Sequence, residues 1–269
     1  MNLNKLILKN QALRRGIIAI IAALLVWEIL AHWRLWFGYS LPGIGLMPPP
    51  SAVLHLWGKV LLDGSYWLSW YASYSRVLLG FCLAMLLGIP FGLMLAVNRH
   101  LHALFFPIFE ILRPIPPLAW VPASLIFWPT QEMSIVFVIF LGAFYAIVIN
   151  VLGGARSIDI RYLRAAQSMG AGQWSLFWRV VLPATLPSIF TGAAVGMGIT
   201  WEVVVAAEMI AVGGRVYGGG LGFFVWNSFV GGSTEQAIIG MLSIGIAGYL
   251  ASSLIRYIGY RLMPWHTAA

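Results

Sequence analysis

The sequence predicts an all-α polytopic membrane protein of about six transmembrane helices joined by short loops. Two observations carry this. Hydrophobic residues make up 61% of the 269 residues and charged residues only 9%, against roughly 25% charged in a soluble domain. Apolar runs of membrane-crossing length recur along the chain, with basic residues grouped at their ends. At roughly 20 residues per span plus loops, no separate soluble domain fits.

The runs lie at 16–37, 67–97, 104–128, 133–153, 185–212 and 235–260. Residues 1–15, with Lys5, Lys9, Arg14 and Arg15, form an N-terminal segment, and 16–37 the first span. That run imitates a signal peptide, but its core is long and no small-residue cleavage site follows cleanly, so a retained helix is expected. Residues 67–262 form the transmembrane core with a loop at 154–184, and 263–269 a short tail.

The formal charge of +8 does not point to nucleic acid, because the basic residues flank apolar runs and so set topology. With the N-terminus inside, Arg99, His100, His102, Arg156, Arg161, Arg164, Arg179, Arg256, Arg261 and His266 all face the cytoplasm. Only Arg34, Lys59 and Arg215 remain outside. The expected topology is N-in/C-in, multi-pass, in a bacterial inner membrane. Cys82 is alone in an apolar run, so neither a disulfide nor a thiol metal site is expected, and no metal residues are assigned.

Residues 38–66 are expected outside. Met47-Pro48-Pro49-Pro50-Ser51 is a stiff polyproline-like strip. After it, Ala52, Val53, Leu56, Val60 and Leu61 with Trp57 suit either a short interfacial helix or a plain connector. The stretch 213–234 gathers Gly213, Gly214, Gly218, Gly219, Gly220, Gly222, Gly231 and Gly232 around Phe223, Phe224 and Trp226. It reads as a mobile loop at a pore mouth or an ordinary re-entrant turn. No repeat of solenoid length and no inverted repeat is visible.

Residues 154–184 carry Arg156, Asp159, Arg161, Arg164 and Arg179, charges that cost several kcal/mol at the bilayer centre. Asp159 suits an N-cap of a helix running to about Met169, and Gly170-Ala171-Gly172 breaks it. A second helix follows with Trp174, Phe177, Trp178 and Val181 on one apolar face, closed by Leu182-Pro183. Tied by Gly on one side and Pro on the other, it is either a lever on the fifth span or a surface helix covering the bundle.

Ala165-Ala166, Gly170 and Leu182-Pro183 stand in the register of the Glu-Ala-Ala loop of ABC-importer permeases, with Val180 for Ile and Arg164 for the Glu. Other segments are similar to the taurine/sulfonate/nitrate/bicarbonate branch. They are Pro48-Pro49-Pro50-Ser51, Ser75-Arg76-Val77-Leu78-Leu79-Gly80-Phe81, the run from Arg113 to Pro122, Ala206-Ala207-Glu208-Met209, Gly220-Leu221-Gly222 and Pro264-Trp265-His266. The resemblance covers nearly the whole chain. It implies a type I importer (MetI-like) fold and a permease subunit that conducts a small anion. It further implies a homodimer of such chains, two cytoplasmic ATPase subunits and a periplasmic or lipid-anchored solute-binding protein. ATP and Mg would be bound by the partners, with no cofactor in this chain. Arg164, Ala165, Ala166, Gly170, Trp174, Leu182 and Pro183 would form the ATPase-coupling loop, and Arg164 speaks against docking through a carboxylate there.

Charges within spans usually face a cavity or a partner. Glu110 and Arg113 share a helix face and either pair or line a path. Pro114, Pro116, Pro117 and Pro122 must break or kink the third span, and broken backbone at that depth belongs beside a cavity or inside protein. Arg76 and Glu202 come out roughly 12 Å and 15 Å below the outer surface, with Glu208 nearer it. Arg76 is expected to pair with Glu202 or Glu208, which point about 120° apart on a helix. Arg76, Glu110, Arg113, Pro116, Glu202 and Glu208 are the candidate pathway residues. A secondary transporter using these charges is the alternative, though it needs no Gly-hinged cytoplasmic helix. No zinc-protease or nucleophile-elbow motif and no P-loop occurs, so catalysis by this chain is not expected.

Overall fold

The computed structural model describes residues 3–33, 38, 47–211 and 219–263, and among these every regular element is helical. Two compact units emerge: residues 1–64 with 225–240, and 65–224 with 241–269.

In the first unit, α1 (Leu3–Ala31) and α2 (Pro50–Val60) are tied by one carboxylate. Glu28 accepts from the Ser51 backbone N–H at 3.1 Å and the Ser51 hydroxyl at 2.7 Å. The Ser51 N–H belongs to the first turn of α2, whose backbone donors have no partner within a helix and favour a negative charge. The proline strip thus ends in a helix rather than a plain connector: Pro50 enters at a position where no N–H is needed. Val53 and Val60 are buried.

The second unit is built on α3 (Gly64–Val97), α4 (Arg99–Leu112), α5 (Val121–Phe127), α6 (Gln131–Arg156), α7 (Ile160–Ser168), α8 (Gln173–Leu176) and α9 (Leu182–Ala211). α10 (Gly220–Val230) and α11 (Thr234–Leu262) each cross from one unit to the other. Among the described residues four helices are long and apolar enough to cross a membrane, or five if the bent pair α4–α5 is one span. The first predicted run falls partly on α1, whose apolar stretch from Gly16 follows Arg14 and Arg15 and ends at Ala31.

α6 is the central post. One face of α3 places small residues every fourth position, Gly80, Ala84, Gly88 and Gly92. Opposite stand Ile139, Ile147 and Val151 of α6, all fully buried. A Cβ on Gly80 would lie 2.6 Å from Ile139 Cγ2, and one on Gly92 2.9 Å from Val151 Cβ. Lipid tails give no hydrophobic drive between helices, so close backbone approach through small residues supplies the packing. The other side of α6 receives α9 the same way: Gly192 against Asn150 and Gly196 against Ala143 and Ile147. Phe91, Phe106, Phe109, Phe144 and Tyr145 fill the space around Leu95, Val148 and Leu152.

The predicted span 104–128 is not a kinked rod. α4 starts at Arg99, capped by Asn98, whose side chain accepts from the His100 and Leu101 N–H groups. After Arg113 the chain turns through Pro114 and Pro116 into a 3-10 turn (Pro117–Trp120), and α5 leaves at 87° to α4. Pro122 breaks nothing, since it sits in the first turn of α5. Likewise α10 stands where a loop or re-entrant turn was expected. Its apolar residues Leu221 to Val230 form a helix, and only Gly231-Gly232 closes it, Gly232 at φ 78°. Gly213, Gly214, Arg215 and Gly218, and the tail with Pro264, Trp265 and His266, lie outside the described residues.

If close approach at the small-residue stripe holds α3 to α6, Gly80→Leu should destabilise the folded chain by about 1–3 kcal/mol, the cost of overpacking. Gly153→Ala, where nothing lies within 4 Å, should be neutral. The midpoint of heat-induced loss of the monodisperse peak in detergent would check both.

Candidate functional site

Two features stand out, a buried charge cluster at one end of α9 and an exposed loop at the other. The cluster centres on Arg76 of α3, which is 4% exposed. Its Nε and Nη2 donate to the two Glu132 oxygens at 2.7 and 2.6 Å, a two-pronged pair. Its Nη1 donates to Glu208 Oε1 at 2.8 Å and to the Gly219 carbonyl at 3.1 Å. Glu208 is 0% exposed. It also accepts from Ser73 Oγ at 2.8 Å and from the Gly222 backbone N–H at 2.9 Å. Ser73 Oγ in turn accepts from the Leu221 N–H at 2.8 Å.

Each partner is supplied for a local reason. Glu132 lies in the first turn of α6, which begins at an N-cap, Thr130, and a carboxylate is favoured there. The Leu221 and Gly222 N–H groups are free of helical partners because they open α10. Gly220 has φ 88°, and a Cβ there would collide with the Glu208 carboxylate. Gly222 lies against the Val205 backbone. Glycine at both positions is what lets the start of α10 close over the acid.

Arg76 therefore pairs with Glu208 and not with Glu202. Glu132 is a third member that sequence reasoning missed; the signal was an acid one residue before an expected span. Arg76 and Glu208, both expected on a pathway, are buried within the chain. Glu110 and Arg113 pair with each other at 2.9 Å on the half-exposed surface of α4. Pro116 precedes the 3-10 turn and supplies the bend after α4. Glu202 is exposed and lines a concavity of about 530 Å³ together with Arg256.

The loop is built as a helix, a glycine turn and a helix. Asp159 caps α7 by accepting from the Arg161 N–H at 2.9 Å. Gly170 ends it at φ 81°, a conformation a Cβ disfavours. Ala166 is buried, while Arg164 and Ala165 are exposed. Met169 and Trp174 are 82% and 75% exposed, and Trp174 meets Trp178 edge-on with centroids 5.6 Å apart. A concavity of about 360 Å³ lies between Ala166, Gly170, Ser175 and Arg179.

The expected helix end at Leu182-Pro183 is absent. From Gln173 the helix runs unbroken to Ile210, through a π-helical turn at Phe177–Val181 where the Leu182 N–H bonds to the Phe177 carbonyl. The wider turn skips the bond that Pro183 could not have made. Pro187 is likewise absorbed within α9.

Residues 88–265 match the family described as the binding-protein-dependent transport system inner membrane component. The chain is 35% identical to the taurine transport system permease protein TauC of Escherichia coli, covering 82% of this chain and 80% of that one. It is 32% identical to the nitrate import permease protein NrtB of a Synechocystis species, covering 93% and 89%. A putative ABC transporter permease of Methanocaldococcus jannaschii is 35% identical, covering 90% and 88%. The fold is similar to that of a chain of a bacterial alginate ABC transporter (TM-score 0.60, 12% identity, covering 97% and 98%). It is also similar to a chain of the MetNI methionine ABC transporter (TM-score 0.58, 21% identity, covering 72% and 92%).

Removing Arg76 leaves Glu208 buried without its counter-charge, so Arg76→Met should cost about 3–5 kcal/mol. Glu132→Gln should cost far less, since the Glu132 side chain is 62% exposed. Adding Glu208→Gln to Arg76→Met should recover part of the loss. Thermal midpoints of the three variants in detergent decide it. A double variant no more stable than Arg76→Met would refute the view that the loss comes from an uncompensated Glu208 charge.

Proposed function

Because the chain belongs to the binding-protein-dependent transport systems, as their inner membrane component, we propose that two copies form the path of an ABC importer for a small anion. Two partner ATPase subunits, which carry the ATP and Mg, drive it from the cytoplasm. A solute-binding protein outside delivers the substrate and sets most of the choice among anions. Relatives named for taurine, nitrate and bicarbonate transport support that substrate class.

The observation that carries this reading is the exposed 160–176 segment and the continuous helix that follows it. With N-in/C-in topology, supported by the excess of Arg on one side of the spans, this segment faces the cytoplasm. A partner gripping Met169 and Trp174 by shape and apolar contact needs no carboxylate at position 164. The only left-handed joint in the segment is Gly170. Beyond it the Gln173–Ile210 helix is one rod, roughly 57 Å long. Closing the ATPases would draw two such rods together at one end and swing the far ends, opening the path outward; hydrolysis would reset it.

Gly170→Val forces a branched side chain into a left-handed backbone, a strain of roughly 1–2 kcal/mol. The full complex carrying it, with co-purified ATPase in proteoliposomes, should keep its spans folded and still hydrolyse ATP, while uptake falls at least tenfold. Normal coupling of hydrolysis to uptake would count against the lever. Uptake by the purified chain alone, driven by an ion gradient, would overturn the importer reading altogether.

A further inference from the structure

A concavity of about 540 Å³ opens where the end of α3 meets the start of α4 and the π-helical turn. Leu93 and Met94 of α3, Leu101 of α4, and Phe177 and Trp178 of the turn line it. Asn98 is the only lining residue that carries an amide, a hydroxyl or a charge. Its side-chain oxygen is already engaged by the His100 and Leu101 N–H groups. Water here would lack the polar partners it needs, and a polar solute would fare no better. Outside the concavity the surface stays apolar: Leu86, Leu87 and Val97 of α3 and Leu104 of α4 are exposed. The slot is thus continuous with a surface that suits acyl chains.

The rim has a different character. Arg99 stands one residue beyond Asn98, and Arg179 one beyond Trp178, on opposite walls and both exposed. Among the described residues neither takes part in an ion pair. The acids between positions 98 and 184 are Glu110, Glu132 and Asp159, and each is engaged by another arginine. Trp178 is half-exposed and edge-on to Phe177 and Trp174, with centroids 5.4 and 5.6 Å away. Trp gathers at the level of lipid headgroups, which sets the rim at that level. An apolar slot beneath two unpaired guanidiniums matches a molecule with a hydrocarbon chain and an anionic head. A zwitterionic lipid fits the slot equally but gains less at the rim, where its cationic group is repelled.

We propose that this concavity seats an anionic phospholipid of the surrounding membrane. One acyl chain lies against Leu93, Met94 and Trp178, and the phosphate lies between Arg99 and Arg179. A lipid held there touches α3, α4 and the turn that joins the exposed loop to α9. The proposal needs the chain to span a membrane and does not depend on the importer reading.

The test is native mass spectrometry of the full chain in detergent, titrated with phosphatidylglycerol and phosphatidylcholine of identical acyl chains. One phosphatidylglycerol should be retained at least tenfold more tightly than phosphatidylcholine, as two arginines near a headgroup imply. Arg99→Gln with Arg179→Gln should abolish that preference. Arg156→Gln with Arg261→Gln removes the same charge outside the groove and should leave the preference intact. Met94→Trp, at an exposed lining position, fills the slot and should weaken both lipids. Equal binding of the two lipids would overturn the proposal, as would a preference that survives loss of Arg99 and Arg179 or falls equally in the Arg156/Arg261 variant. Full retention by Met94→Trp, or displacement of the lipid by millimolar inorganic phosphate, would overturn it too, since no acyl chain would then be seated in the slot.

Discussion

The constraint on which the second unit turns is that Arg76 and Glu208 are both taken out of water. Desolvating two ions costs several kcal/mol each, and their attraction offsets this only where the remaining donors and acceptors are satisfied. Here they are. The guanidinium meets two carboxylates and a carbonyl, and the Glu208 carboxylate meets a hydroxyl and a backbone N–H besides. Such a cluster is weak evidence for stability and better evidence for position. It fixes α3, the start of α6, the far part of α9 and the opening of α10 at one point, and no apolar contact could fix them with the same directionality.

The cluster and the exposed loop sit at the two ends of one continuous helix. A break at Pro183 would have confined any movement of the loop to a short lever. Instead the π turn accommodates the proline, and the helix is continuous from Trp174 to Glu208. In the lever reading proposed above, motion at one end would be accepted at the other by the cluster, whose member Glu132 has a 62% exposed side chain. An ion pair with one half-solvated partner can exchange hydrogen bonds with water as it moves, whereas interlocked side chains resist until they slip. In that reading the exchangeable Arg76–Glu132 pair sits where the far end of the rod would move.

Much of this was legible in the sequence, and the failures are instructive. Length, charge patterning and hydropathy placed the long helices, and Asp159 and Gly170 placed the loop's cap and turn, because caps and left-handed glycines are local in their causes. The four-residue spacing of Gly80, Ala84, Gly88 and Gly92 was equally available but disappears into a run that is apolar all round. The choice between Glu202 and Glu208 was not available at all: helical geometry says that the two point apart, and only packing says which side is protein. Pro183 misled because its usual consequence is a break, and a π turn removes that consequence without leaving a sequence mark.

Two acids on one helix, six residues apart, thereby acquire opposite roles from their surroundings alone. Glu208 is enclosed, every oxygen engaged, and its charge is spent within the fold. Glu202 is exposed on a groove that Arg256 also lines, and it takes part in no ion pair among the described residues. In a medium where a bare carboxylate costs several kcal/mol, that exposure is tolerable only if water or a ligand regularly occupies the groove. Gly198 and Gly245 line the same groove, and larger residues there, where nothing stands within 4 Å, would fill space that is instead open. One helix thus carries one acid held inside the fold and one left at its surface.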